Sequence, residues 1–115
     1  MEKYLLLLHG NASEAPNLSP AEMQAMFAKY HAWSQSLKDK GRYLAGNKLE
    51  DGTGKVMRSN GGTVRVTDGP FAETKDVIGG YYLIQVANYD EAVATCQDCP
   101  HLAFGTIEIR RIEAV

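Results

Sequence analysis

Apolar residues follow two periods along the chain, and the changes between them predict the elements. Lys3 to His9 holds four consecutive leucines, Leu5 to Leu8, and reads as a strand covered on both faces. Residues 11 to 18 form a polar, Pro-containing loop. Ser19 is a good helix N-cap, Pro20 suits the first helical position, and Glu22 completes a capping box. From there Met23, Met26, Phe27, Tyr30, Trp33, Ser34 and Leu37 recur at three- and four-residue spacing, so a helix with a wide apolar stripe runs up to Gly41 as its C-cap. The stripe reads as core or subunit contact and calls for no cofactor.

Tyr43 to Leu49 is a second strand, followed by the loop Glu50 to Gly54. Val56 to Arg58 and Thr63 to Thr67 flank Asn60-Gly61-Gly62, a hairpin turn. Gly79-Gly80 opens Tyr81 to Val86, another strand covered on both faces; residues 90 to 98 form a short helix with acidic residues at its start; Thr106 to Ile112 alternates as the last strand. Without the hairpin the order is βαββαβ, which predicts an α+β, ferredoxin-like arrangement. Helices on one side leave the other sheet face bare, so a two-fold homodimer packed sheet to sheet is expected. Tyr82, Ile84 and Val86 would cover one face and Tyr81, Leu83 and Gln85 the other; the pattern does not say which set meets the partner.

The 115 residues, 44% hydrophobic and 23% charged, have the size and composition of one globular domain. A net charge of −2 provides no general field for nucleic acid or acidic membrane. The apolar run after Lys3 stops at His9-Gly10-Asn11, too short for a signal peptide core or a membrane span, so a cytoplasmic protein is expected. Cys96 and Cys99 make a CxxC at the end of the second predicted helix, where the dipole hinders thiolate formation and so opposes redox chemistry. With His101 they offer three metal ligands, and only His9 or His31 could add a fourth, so no metal site is assigned.

The chemistry concentrates in residues 67 to 82, TDGPFAETKDVIGGYY, where a turn built on Asp68-Gly69-Pro70 carries Glu73, Lys75 and Asp76 into the most apolar strand. Glu73 and Lys75 read equally well as a solvated ion pair closing the loop. His31 lies one turn after Phe27 beside the helix stripe; a histidine titrates near neutral pH and serves as acid or base when a carboxylate orients it, and Asp68 is the carboxylate nominated here. Arg65 shares a strand face with Thr67 and could reach the same space, or act only as an edge charge that discourages pairing. The candidate catalytic residues are therefore His31, Asp68, Glu73 and Lys75, and the candidate ligand contacts are Arg65, Phe71, Tyr30 and Tyr82.

DGPFAETKD, followed by GGYYLI and CPHLAFGTIEIRRI, resembles the DGPF group of the YCII-related proteins, whose hallmark reads DGPFAETKE. The resemblance runs from Lys3 to the last strand. Asp76 replaces the usual Glu, and Arg111 replaces the usual Pro of the closing motif. The resemblance implies a dimeric α+β barrel, a class that includes lactone isomerases and dehydrochlorinases. It also implies a His and Asp pair, the His on the first helix and the Asp in the loop before the strand corresponding to Tyr81 to Val86. Asp68 fits the loop position, whereas counting back from Gly41 puts Tyr30 at the helix position, about 100° around the helix from His31.

Three readings follow. One is an enzyme-like cleft performing proton transfer on a small organic acid or aromatic compound. Another is a non-catalytic binding module using the same cleft. The last is an interaction protein, because DGPF proteins resembling this one are associated with extracytoplasmic-function sigma factors.

Overall fold

The computed structural model describes residues 1–10, 18–69 and 76–114. Strands β1 (Glu2–Gly10), β2 (Tyr43–Lys48), β5 (Val77–Val86) and β6 (Thr106–Arg111) form an antiparallel sheet in the order β2-β5-β1-β6. Strands β3 (Lys55–Asn60) and β4 (Thr63–Asp68) form a separate hairpin. The helices are α1 (Pro20–Asp39) and α2 (Tyr89–Cys96), and a 3₁₀ turn at Pro100–Ala103 leads from α2 into β6. This is the α+β, ferredoxin-like βαββαβ order with one inserted hairpin.

Local chemistry accounts for the element ends. The Ser19 side chain accepts from the Glu22 backbone N–H while the Glu22 side chain accepts from that of Ser19, so the expected capping box is formed. At the other end Gly41 adopts φ +69°; its N–H donates to the Lys38 carbonyl and that of Arg42 to the Leu37 carbonyl, a Schellman closure that places Gly41 just past the Lys40 cap. Gly61 and Gly62, at φ +59° and +88°, form the two-residue hairpin turn between Asn60 and Thr63. The glycine pair expected to precede β5 lies within it. Gly80 pairs with Leu8 and Gly79 is the extra residue of a bulge opposite the Leu8–His9 step.

One face of the sheet holds the core. Tyr4, Leu6 and Leu8 of β1 and Tyr82, Ile84 and Val86 of β5 pack with Trp33 and Leu37 of α1 and Ala92 and Cys96 of α2. Ile107 and Ile109 join them, because they pair with Leu8 and Leu6. The Trp33 ring meets the Tyr82 ring edge-on at 5.0 Å and its Nε1 donates to Asp98 at 3.0 Å. The apolar stripe of α1 is buried only in its second half: Met23 and Phe27 are 42% and 39% exposed.

The opposite face carries Leu5, Leu7, Leu83 and Tyr81, all half-buried, with Ala45 and Asn47 of β2 beside them and no described element lying over them. The hairpin also stands away from the body, and its Met57, Val64 and Val66 are more than half exposed. The radius of gyration, 16.2 Å, exceeds the roughly 13 Å of a compact chain of this length. Among the described residues, no helix is long and apolar enough to cross a membrane.

Candidate functional site

The C-terminal end of β1 gathers the chemistry. Alternation along β1 puts Leu7 and His9 on the open face, and pairing with β6 puts Glu108 opposite Leu7. His9 Nε2 therefore reaches Glu108 Oε1 at 2.9 Å. Glu108 accepts, so this nitrogen carries the proton when the ring is neutral, and among the described residues Nδ1 has no partner. The hydrogen bond from His9 holds the Glu108 carboxyl below the usual carboxylate range, with Arg110 Nη1 at 3.4 Å contributing less. The His9 side chain is 22% exposed, against 42% for Glu108. Tyr81 lies on the same face and accepts from Asn47 Nδ2 at 3.0 Å.

A second histidine braces this end from the helix side. His101 Nε2 donates to the His9 carbonyl at 2.8 Å, leaving Nδ1 to accept from the Tyr30 hydroxyl at 3.2 Å. Burial pushes the Tyr30 phenol up to about 12, so it remains a proton donor. Gly105 makes the brace fit: a Cβ there would lie 2.1 Å from the His9 carbonyl oxygen and 2.9 Å from His101 Nε2. One turn along α1 from Tyr30, Ser34 donates to the Tyr82 hydroxyl at 3.2 Å, and burial raises the Tyr82 pKa.

The start of β5 lies at this end. Asp76 leads into Val77 and Ile78, which pair with Gly10 and His9. Phe71, Glu73 and Lys75 lie outside the described residues. Asp68 is exposed at the base of the hairpin and pairs with Lys55. His31 is exposed on α1 with no hydrogen-bond partner among the described residues. The structure does not bring His31 and Asp68 together, because α1 turns Tyr30 and Ser34 toward the sheet and His31 away from it. Arg65 is exposed on the hairpin. Of the proposed ligand contacts, Tyr30 reaches from α1 to His101 and Tyr82 lies beneath the helix, and neither meets Arg65 on the hairpin.

Sequence reasoning considered His9 and His101 only as possible metal ligands and gave Glu108 no role. The signal available was alternation: it put Glu108 on the face away from Ile107 and Ile109, and only the β1–β6 register brought it to His9. Cys96 and Cys99 are both buried free thiols, pushed up by burial to about 12 and about 11, so neither has the lowered pKa of a reactive thiol. Among the described residues, no group of three acidic, His or Cys side chains is placed to hold a metal.

A family profile shows where the chain belongs. The sequence profile of the YCII-related domain matches residues 3–115. An uncharacterized protein of Rhizobium meliloti (strain 1021) is 40% identical over 57 residues, a match covering 48% of this chain and 46% of that protein, so the chain matches about half of its relative's length. Among solved structures, the 5-chloro-2-hydroxyhydroquinone dehydrochlorinase of Burkholderia phenoliruptrix AC1100, in complex with 2,5-dihydroxybenzoquinone, aligns with a TM-score of 0.49 at 15% identity, over 96% of this chain and 93% of that one.

Proposed function

The chain belongs to the YCII-related domain family, and from that premise we propose that it is a cytoplasmic homodimer, packed sheet face to sheet face, that binds a small organic acid or aromatic compound and exchanges a proton with it through His9. The observation that carries this reading is the His9–Glu108 pair on the open sheet face, beside Leu5, Leu7 and Leu83. In that arrangement Nδ1 accepts the ligand's proton while Glu108 orients the ring and stabilises the imidazolium that forms. Covering the face with a second copy removes water from the pair and strengthens their interaction.

A thermal-shift screen against small carboxylates, lactones and phenols tests the reading, with His9→Gln and Glu108→Gln alongside. A ligand that raises the midpoint of the wild type and of neither variant is the expected result. Ligands that stabilise all three proteins equally would place binding elsewhere.

A regulatory reading, in which the partner is a protein of the extracytoplasmic-function sigma-factor type, is favoured by one observation. Met23 and Phe27 on α1 and Leu102 and Phe104 around the 3₁₀ turn are 39–49% exposed and lie off the open sheet face. Sheet-to-sheet dimerisation would leave them uncovered. Loss of partner binding in Phe27→Ser, with the dimer intact, distinguishes this reading from the first.

A further inference from the structure

Among the described residues, strands β3 and β4 pair only with each other. A two-stranded hairpin alone in water is marginally stable and needs a further layer against one side. This one has an apolar side to offer: alternation groups Met57, Val64 and Val66, with Met57 directly opposite Val66, and they are 67%, 56% and 57% exposed. Its base is tied down. The Leu49 N–H donates to the Gly79 carbonyl at 2.9 Å, the Gly69 N–H donates to the Gly54 carbonyl at 3.0 Å, and Lys55 pairs with Asp68. The chain also has surface to give up: it exposes 8173 Å², about 2,000 Å² more than the roughly 6,200 Å² of a compact 12.6 kDa monomer. An obligate homodimer removes about 1,000–2,500 Å² from each subunit. Leu5, Leu7, Leu83 and Tyr81 of the open sheet face are already half-buried, so they supply only part of that area.

We propose that the hairpin is a dimer arm: its Met57, Val64 and Val66 side packs on a second copy of this chain and extends the sheet-to-sheet contact beyond the sheet. The arm presupposes the homodimer proposed above and adds to it, since the sheet faces alone would leave the hairpin bare in the dimer. Three apolar side chains on a two-stranded arm make too small a patch to hold an unrelated protein by themselves. In a two-fold dimer each contact is made twice, so a single partner of the same sequence covers the arm and the open face together and brings the interface to obligate size. Burying the apolar side also gives the hairpin the layer that it lacks within one chain.

Sedimentation equilibrium of the full-length protein over a dilution series tests the arm, with Val66→Asp and Thr63→Asp as variants. Val66 is exposed in the single chain, so its replacement leaves the core intact, and Thr63 puts the same new charge on the other side of the hairpin. The expected result is a dimer whose dissociation constant rises about 100-fold in Val66→Asp, roughly tenfold for each of the two symmetry-related arms. Thr63→Asp should stay within about threefold of wild type. Photocrosslinking from p-benzoylphenylalanine placed at Val64, in a mixture of isotopically light and heavy protein, reads the contact directly: light peptides should be joined to heavy ones. A dimer of unchanged affinity in Val66→Asp, still dissociated by Leu83→Asp, would overturn the arm and leave the sheet contact standing. Crosslinks confined to single chains would overturn the arm as well, and a monomeric wild type would overturn both.

Discussion

Replacing Gly105 with Ala tests whether the His101 brace holds the end of β1. Gly105 does not have positive φ, so a Cβ meets no backbone penalty of its own and the effect isolates the contact. The new methyl would sit 2.1 Å from the His9 carbonyl oxygen, well inside the 3.0 Å that real Cβ atoms respect, and that oxygen belongs to a paired strand. Relief requires β1 and the 3₁₀ turn to separate, which breaks the 2.8 Å bond from His101 and strains the His9–Thr106 pairing. Overpacking of this kind costs about 1–3 kcal/mol and the lost hydrogen bond about 1 kcal/mol more, so we expect a loss of about 3 kcal/mol. At roughly 4 °C per kcal/mol for a chain of this size, Tm should fall by about 12 °C. Urea unfolding should show a lower midpoint at unchanged slope. Gly79→Ala is the control, because a Cβ there meets nothing within 4 Å, and it should stay within about 0.5 kcal/mol of wild type. If Gly105→Ala matches that control, the brace contributes nothing and the reasoning fails.

Other consequences can be checked separately. Leu83→Asp puts a charge on the open sheet face and should yield a folded monomer by sedimentation, whereas Ile84→Asp, on the fully buried face, should prevent folding; an intact Leu83→Asp dimer would refute the sheet-to-sheet assembly. The folded-state pKa of Glu108 is depressed by His9, so the pair's stabilisation is complete above the ordinary value of 4.5 and is lost as pH falls through the folded value. The stability gap between wild type and His9→Gln should accordingly close in acid; a constant gap would mean the hydrogen bond does not survive in solution. Cys96 and Cys99 should resist a disulfide reagent at about pH 8 in the native protein and react in denaturant, and fast native labelling would show that their burial is wrong.

Much of the architecture was legible because it rests on local chemistry. The capping box at Ser19, the turn at Gly61-Gly62, the acidic start of α2 at Asp90-Glu91 and the period-two strands are each specified by a few neighbouring residues, and element order then leaves few topologies. Even the division of β5 into two side-chain sets followed from alternation. The reach of the α1 stripe did not: Met23 and Phe27 have the correct spacing, yet the core ends at Trp33, and where a core ends depends on partners distant in sequence.

The candidate site divides along the same line. By itself the sequence determined the family hallmark, the strand that follows it and the presence of three histidines. Tertiary structure alone decided which histidine meets a carboxylate, because His9 and Glu108 lie 99 residues apart and only the β1–β6 register joins them. It likewise decided that Tyr30 supports His101 while His31, one position on, turns to solvent, a difference of about 100° on a helix whose rotation is set by packing. Turns and caps need only near neighbours, so sequence specifies them; proximity between remote side chains is a property of register and rotation, which the assembled core sets.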